Sequence, residues 1–380
     1  MKRFGIWLLL CALALGWLPA TASAATEETA KGAVLMEAAT GTVLSEHNAH
    51  TPLPPASVTK VMTMLLVMEA LDSGRISRED PVSASETAAG KGGSQIYLKV
   101  GETMSVSQLL KSVAVSSAND AACALAEHIA GSESAFVDMM NEKAKELGME
   151  HTHFVNCTGL DGDEKAKEHL TCAYDIALMS RELMMKHPAI KEYTTIWMDT
   201  VRNGEFGLAN TNKLVRFYPG CTGLKTGYTS NSGFCLSATA ERNGMTLIAV
   251  VLGCETSADR FAQCKAMLDQ GFAGYALIDP QLELVAVPVT LGTAPSVSVT
   301  FSGEKQILID KGQVNTVRYQ TQLEESVTAP VSQGQRLGTL TVYAGEQVLR
   351  QIPLVAAQSV ERLSFGQILL QMLRKICFSG

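Results

Sequence analysis

Strand-like segments near both ends of one stretch of chain bracket a long helical pattern, and this arrangement restricts the fold more than any other feature. Residues 32–46, GAVLMEAATGTVLSE, read as two short strands joined by an Ala-Thr-Gly turn. From residue 55 to about 190 the apolar residues recur with helical period, at 58–71, 105–114, 120–130, 134–147 and 172–186. Then SGFCLSATA, a turn at Glu241-Arg242-Asn243-Gly244 and MTLIAVVLGC form an antiparallel hairpin. The amphipathic run from Asp259 to Tyr275 closes the unit as a helix. One sheet drawing strands from both ends, with a helical block inserted between them, is the α+β solution.

After about residue 277 the texture changes. LELVAVPVTLG, SVSVTFSG, KQILIDK and GTLTVYAG are β-rich runs separated by turn residues, which predicts a small all-β domain over 278–357. The last segment, 358–380, places Leu363, Ile368, Leu369, Met372, Leu373 and Ile376 largely on one helical face. Arg374 and Lys375 lie mostly elsewhere, so the helix suits lying in a membrane surface rather than spanning it.

The chain begins with Lys2 and Arg3, an apolar run FGIWLLLCALALGWL, and Ala22-Ser23-Ala24. That is the pattern of a secretory signal peptide over 1–24, which leaves 25–277 as the first domain and sets the protein to work outside the cytoplasm, on the outer face of the membrane. A net charge of −7 excludes the basic surface of a nucleic-acid binder. Of nine cysteines, Cys11 leaves with the signal, and the other eight show no CxxC pair and no regular framework, so no bridge is assigned. His151, His153 and Cys157 lack the context of a zinc motif; no metal and no cofactor is expected.

Three short motifs carry chemistry. Ser57 and Lys60, in PASVTK at the head of the apolar run VMTMLLVMEAL, lie nearly one helical turn apart and so share a face. Ser117 and Asn119 fall between two helical stretches, in SSAND, where helix capping is the bland alternative. Lys225-Thr226-Gly227 enters the strand before the hairpin. Each alone is common. In this order, on a helix start, an inter-helix loop and a strand edge, they form the signature set of penicillin-binding proteins and serine β-lactamases.

The wider sequence resembles the low-molecular-weight D-alanyl-D-alanine carboxypeptidases, the serine peptidase family with a C-terminal β-domain. GSQIYLKVGE, SVSQLLKSVAVSSANDA, HTHFVNCTGLD, GLKTGYT and DRFAQCKAML carry the likeness, which runs from about Lys31 to the end. It implies removal of the terminal D-alanine from peptidoglycan stem peptides, and covalent inhibition by β-lactams. Ser57 is then the nucleophile and Lys60 its base, made neutral by the charge of Lys225 and by partial burial. By the same resemblance Ser117 relays a proton to the leaving D-alanine, and Asn119 holds Lys60 and the acyl amide. Lys225, Thr226 and Arg260 take the terminal carboxylate, Gly227 keeps the strand edge open, and the Tyr228 N–H joins that of Ser57 around the developing oxyanion.

Two departures bear on the rival readings. Alanine stands between Ser117 and Asn119, and no Glu-x-x-Leu-Asn follows, so rapid β-lactam hydrolysis is not expected. A non-catalytic wall-binding scaffold has no need of all three motifs.

Overall fold

Strand β1 (Gly32–Glu37) is buried along its whole length, so it belongs inside a sheet rather than at its edge. The computed structural model, which describes residues 29–162 and 164–370, places it there. β1 pairs antiparallel with β2 (Val43–His47) on one side and, on the other, with the distant β5 (Met245–Cys254). β4 (Gly233–Arg242) and β3 (Cys221–Thr229) complete the sheet in the order β2-β1-β5-β4-β3. The β4–β5 connection turns at Asn243 and Gly244, whose φ values of 51° and 77° give the left-handed pair that a tight hairpin requires.

Alternation along the strands sends side chains to two faces. Val34, Met36, Ile248 and Val250 meet the helical block; Leu35, Leu247, Ala249 and Val251 meet Cys264, Leu268 and Phe272 of the closing helix, α6. Both faces are covered, which is why these strands read as continuous apolar runs. The block contains α1 (Lys60–Asp72), α2 (Val106–Ser116), α3 (Asn119–Ala130), α4 (Glu133–Glu146) and α5 (Ala173–Lys186); α6 spans Ser257–Gly274. α1 is buried from Lys60 through Met68, as a helix with apolar residues on every side must be, and that burial takes in Lys60 and Thr63. Caps set several starts: Ser105 with Gln108 for α2, Ser132 for α4, Thr256 with Asp259 for α6. Two small ribbons, Pro81–Ser83 with Thr103–Ser105 and Met198–Val201 with Phe206–Ala209, were not anticipated. Strands of three or four residues carry too little alternation to be seen.

The C-terminal region is all β, and its boundaries differ from expectation at both ends. Tyr275–Ile278 leaves α6 and pairs with Ile307–Asp310, so the β-region begins before residue 278. At the far end, the helix expected from 358 does not begin there. Val360 is buried, exchanges two backbone hydrogen bonds with Val331, and packs with Val297 and Leu337. The Leu363 N–H donates to Leu291 O, which ties Leu363 to the β-region rather than to a free helical face. Helix starts only at residue 365. The period-3.6 reading over-extended because an apolar residue buried in a β-core looks the same in sequence as one on a helical stripe. Residues 1–24, and Met372, Leu373, Arg374, Lys375 and Ile376 of the expected helix, lie outside the described residues. Among those described, no helix is long and apolar enough to cross a membrane.

Candidate active site

Ser57 does not sit on the helix itself but on the 3-10 turn Ala56–Thr59 that leads into it, with Lys60 as the first residue of α1. The turn is held in an uncommon conformation, Ala56 having φ 48°. Thr59 Oγ1 donates to Ala56 O at 2.8 Å, and lies 2.8 Å from His169 Nε2. The Val155 N–H donates to His169 Nδ1, so that ring carries its proton on Nε2 and faces Thr59 with it. Burial lowers the pKa of His169 to about 4, which keeps it neutral and in that role.

Lys60 is fully buried, and its Nζ lies 2.9 Å from Ser57 Oγ and 2.8 Å from the carbonyl oxygen of Thr158. Burial lowers its pKa to about 7, against the opposing pull of Cys157 and Asp120. This corrects the expectation in two ways. Burial is complete rather than partial, and Lys225 is not what lowers Lys60. The repulsion falls on Lys225, which burial first, and then the charges of Lys60 and Arg260, push well below the ordinary lysine range. A lysine that gives up its proton no longer repels its neighbour.

Ser117 caps α2 in the left-handed region, φ 64°, and turns the chain into α3. Asn119 opens α3 but does not bond Lys60; its Nδ2 donates to Gly92 O at 2.6 Å. Its Oδ1 is buried with no hydrogen-bond partner. Next to it the buried Asp120 carboxylate accepts from the N–H groups of Ile96, Leu98 and Ala121, which pins segment 94–98 against the helix start.

β3 forms the opposite wall as the free edge of the sheet. Gly227 is required there: a Cβ would stand 2.7 Å from Pro55 O and 3.1 Å from the backbone nitrogen of Ser57. Lys225 Nζ donates to Thr226 O, Thr226 Oγ1 to Thr211 Oγ1, and the exposed Tyr228 ring stacks on Phe234. Arg260 is no surface charge. It is 8% exposed, lies against the rings of Phe234 and Phe261, and donates from Nη1 to Gly227 O at 2.8 Å, while its Nε has no partner. Buried polar atoms are nearly always satisfied, so the orphans at Asn119 Oδ1 and Arg260 Nε, both on residues named from sequence, leave polar groups free for a ligand among the described residues. A cleft of about 620 Å³ is lined by Pro54, Asp161, Leu170 and Asn231.

The structure thus links Ser57 to Lys60 by a hydrogen bond, sets Gly227 against the Ser57 turn, and ties Arg260 to the Gly227 carbonyl. Sequence reasoning missed Thr158 and His169. The carbonyl of Thr158 leaves no trace in residue identity, and a lone histidine carries little signal.

Residues 19–256 match the family described as D-alanyl-D-alanine carboxypeptidase, and residues 280–362 match the C-terminal domain of penicillin-binding protein 5. The chain belongs to this carboxypeptidase family. It is 43% identical to D-alanyl-D-alanine carboxypeptidase DacF of Bacillus subtilis, over 88% of this chain and 87% of that one. DacA of Escherichia coli is 31% identical over 90% and 86%. Among solved structures, penicillin binding protein 5 from Haemophilus influenzae superposes with a TM-score of 0.75 at 30% identity, covering 88% of this chain and 98% of that one. The family assignment fixes the activity as that of a serine-type D-alanyl-D-alanine carboxypeptidase on peptidoglycan. The two-part architecture agrees with it: an α+β penicillin-binding fold followed by an all-β domain.

Proposed function

We propose that Ser57 attacks the carbonyl of the penultimate D-alanine of a stem peptide, with Lys60 taking its proton. The observation that carries this is the buried amine 2.9 Å from Ser57 Oγ with a pKa near 7. Such an amine is neutral often enough at physiological pH to act as a base. The Ser57 N–H, at the start of a helical segment and close against Gly227, and the Tyr228 N–H on the adjoining strand edge serve the oxyanion. Ser117, at the left-handed turn between α2 and α3, returns the proton to the leaving D-alanine. Water then releases the shortened peptide. The unpartnered Asn119 Oδ1 accepts the amide N–H of the acyl part. A pentapeptide ending in D-Ala-D-Ala tests the activity: D-alanine release is expected, and none from folded protein sinks the reading.

Lys225, Thr226 and Arg260 receive the terminal carboxylate. An arriving anion restores the charge that burial takes from Lys225, and offers the free Arg260 Nε a partner. Arg260→Ala therefore slows peptides with a free carboxylate far more than their amides. Equal loss on acid and amide would make Arg260 only a support for the Gly227 carbonyl. Gly227→Ala is expected to lower penicillin acylation by roughly 10²-fold, because its Cβ displaces the Ser57 turn. Near-normal acylation would show that the edge yields without cost.

The signal pattern and the amphipathic end support an exported protein held at the outer membrane surface. Phe365, Leu369 and Leu370 are exposed on the helical residues 365–370. A chain ended after Ser364 is expected to fold fully and to stop floating with anionic liposomes. One ended after Val355 also loses Ala356 and Val360, the latter costing about 1.5–3 kcal/mol of burial, and melts at a lower temperature. Flotation that survives the cut after Ser364 would remove the helix as the anchor.

A further inference from the structure

Cys123 on α3 and Cys157, just before Thr158, are both fully buried, and their sulfurs converge on the carboxylate of Glu133 at the start of α4. One donor atom from each of the three lies within 4.8 Å of the other two. Cys157 Sγ is 3.2 Å from Glu133 Oε1, while Lys91 Nζ is 2.5 Å from Oε2. Donors around one tetrahedral zinc, with Zn–S about 2.3 Å and Zn–O about 2.0–2.2 Å, stand roughly 3.5–3.8 Å apart. The three are close to that already.

We propose that Cys123, Cys157 and Glu133 form a site for one thiophilic divalent cation of the zinc class, with water as fourth donor. Two thiolates and a carboxylate carry three negative charges, and the cation with the ammonium of Lys91 carries three positive ones. The occupied cluster is therefore neutral, as burial demands. Thiolate donors favour zinc or cadmium over magnesium or calcium. The Lys91 and Glu133 side chains are 19% and 18% exposed, so the entry lies on their side. The two histidines singled out with Cys157 take no part: His153 pairs through its backbone with Leu170, and His151 packs edge-on against His50. The site adjoins the reaction centre without entering it. Cys157 O accepts from Thr63 Oγ1, and the next carbonyl, of Thr158, accepts from Lys60. An ion there would fasten the loop that holds the base.

The test uses the full chain, reduced and freed of metal by a chelator, then titrated with Cd²⁺ alone. One equivalent is expected to raise the ultraviolet thiolate-to-cadmium band. Cys123→Ala and Cys157→Ala should each diminish that band and weaken binding at least about tenfold, and Glu133→Gln should weaken it comparably while the band remains. Cys221→Ser, remote from the cluster, should change neither. No band at one equivalent, or a band indifferent to both alanine variants, overturns the site. So does a Cys123–Cys157 disulfide in protein isolated without reductant. If the alanine variants lose penicillin binding through misfolding, Glu133→Gln decides, and unchanged cadmium affinity then rejects the proposal.

Discussion

Benzylpenicillin is expected to add its own full mass once to this protein, at Ser57, and Ser57→Ala to abolish the adduct entirely. Attack on the strained lactam opens the ring and breaks the C–N bond, but the amine stays tethered, so nothing leaves and the whole drug mass remains. Two other hydroxyls in the same motifs are already engaged. Ser116 Oγ is turned back onto Ser112 O, and Thr59 Oγ1 is committed to Ala56 O. The substitution itself is mild: Ala fits a half-buried turn position, and Lys60 keeps its bond to Thr158 O. The sequence lacks the Glu-x-x-Leu-Asn glutamate that speeds deacylation in class A β-lactamases, so the adduct should persist longer than on such an enzyme. Intact mass followed by peptide mapping reads both points. Labelling of Ser57→Ala, or a label on any other peptide, would move the nucleophile elsewhere.

What the sequence made legible follows from how each feature is encoded. The long helices and the β4–β5 hairpin carry strong periodicity or an Asn-Gly turn, and they fall close to where those signals put them. Seven of the nine candidate site residues were named because three motifs of fixed spacing occur in order, each in a suitable element; Tyr228 and Arg260 came only from the family resemblance. Their pairings were not legible. Asn119 bonds Gly92 rather than Lys60, and Arg260 bonds Gly227 O, because spacing along a chain does not say which way a side chain turns. The cause of the Lys60 shift was also hidden. Lys60 is fully buried at the head of a helix packed on every side, and Gly159 approaches the Ser57 turn so closely that a Cβ would collide with Ala56 O. Neither is a property of the motif. The end of the β-domain was misplaced for a related reason, since Val360 is buried by strands far away in sequence.

Lys60→Ala is expected to lower acylation by penicillin and by peptide about 10²–10⁴-fold, the usual loss for a general base. The wild-type rate should carry the signature of the amine. A lysine acts as base only when neutral, so with a pKa of about 7 the acylation rate should level off above that pH and fall tenfold per unit below it. Lys60→Ala should lose that inflection along with the rate. Lys60→Arg should restore neither, because a guanidinium stays protonated throughout. Stability is a separate matter. Alanine is the better helix former, but Thr158 O loses its donor, at a cost of about 1–3 kcal/mol for a buried acceptor left alone. Circular dichroism and melting therefore have to accompany the kinetics. A folded Lys60→Ala enzyme that keeps both its rate and its inflection near pH 7 would transfer the base to another group. The buried Lys225 would be the first to test, since burial also pushes its pKa far down and the charge of Lys60 reaches it.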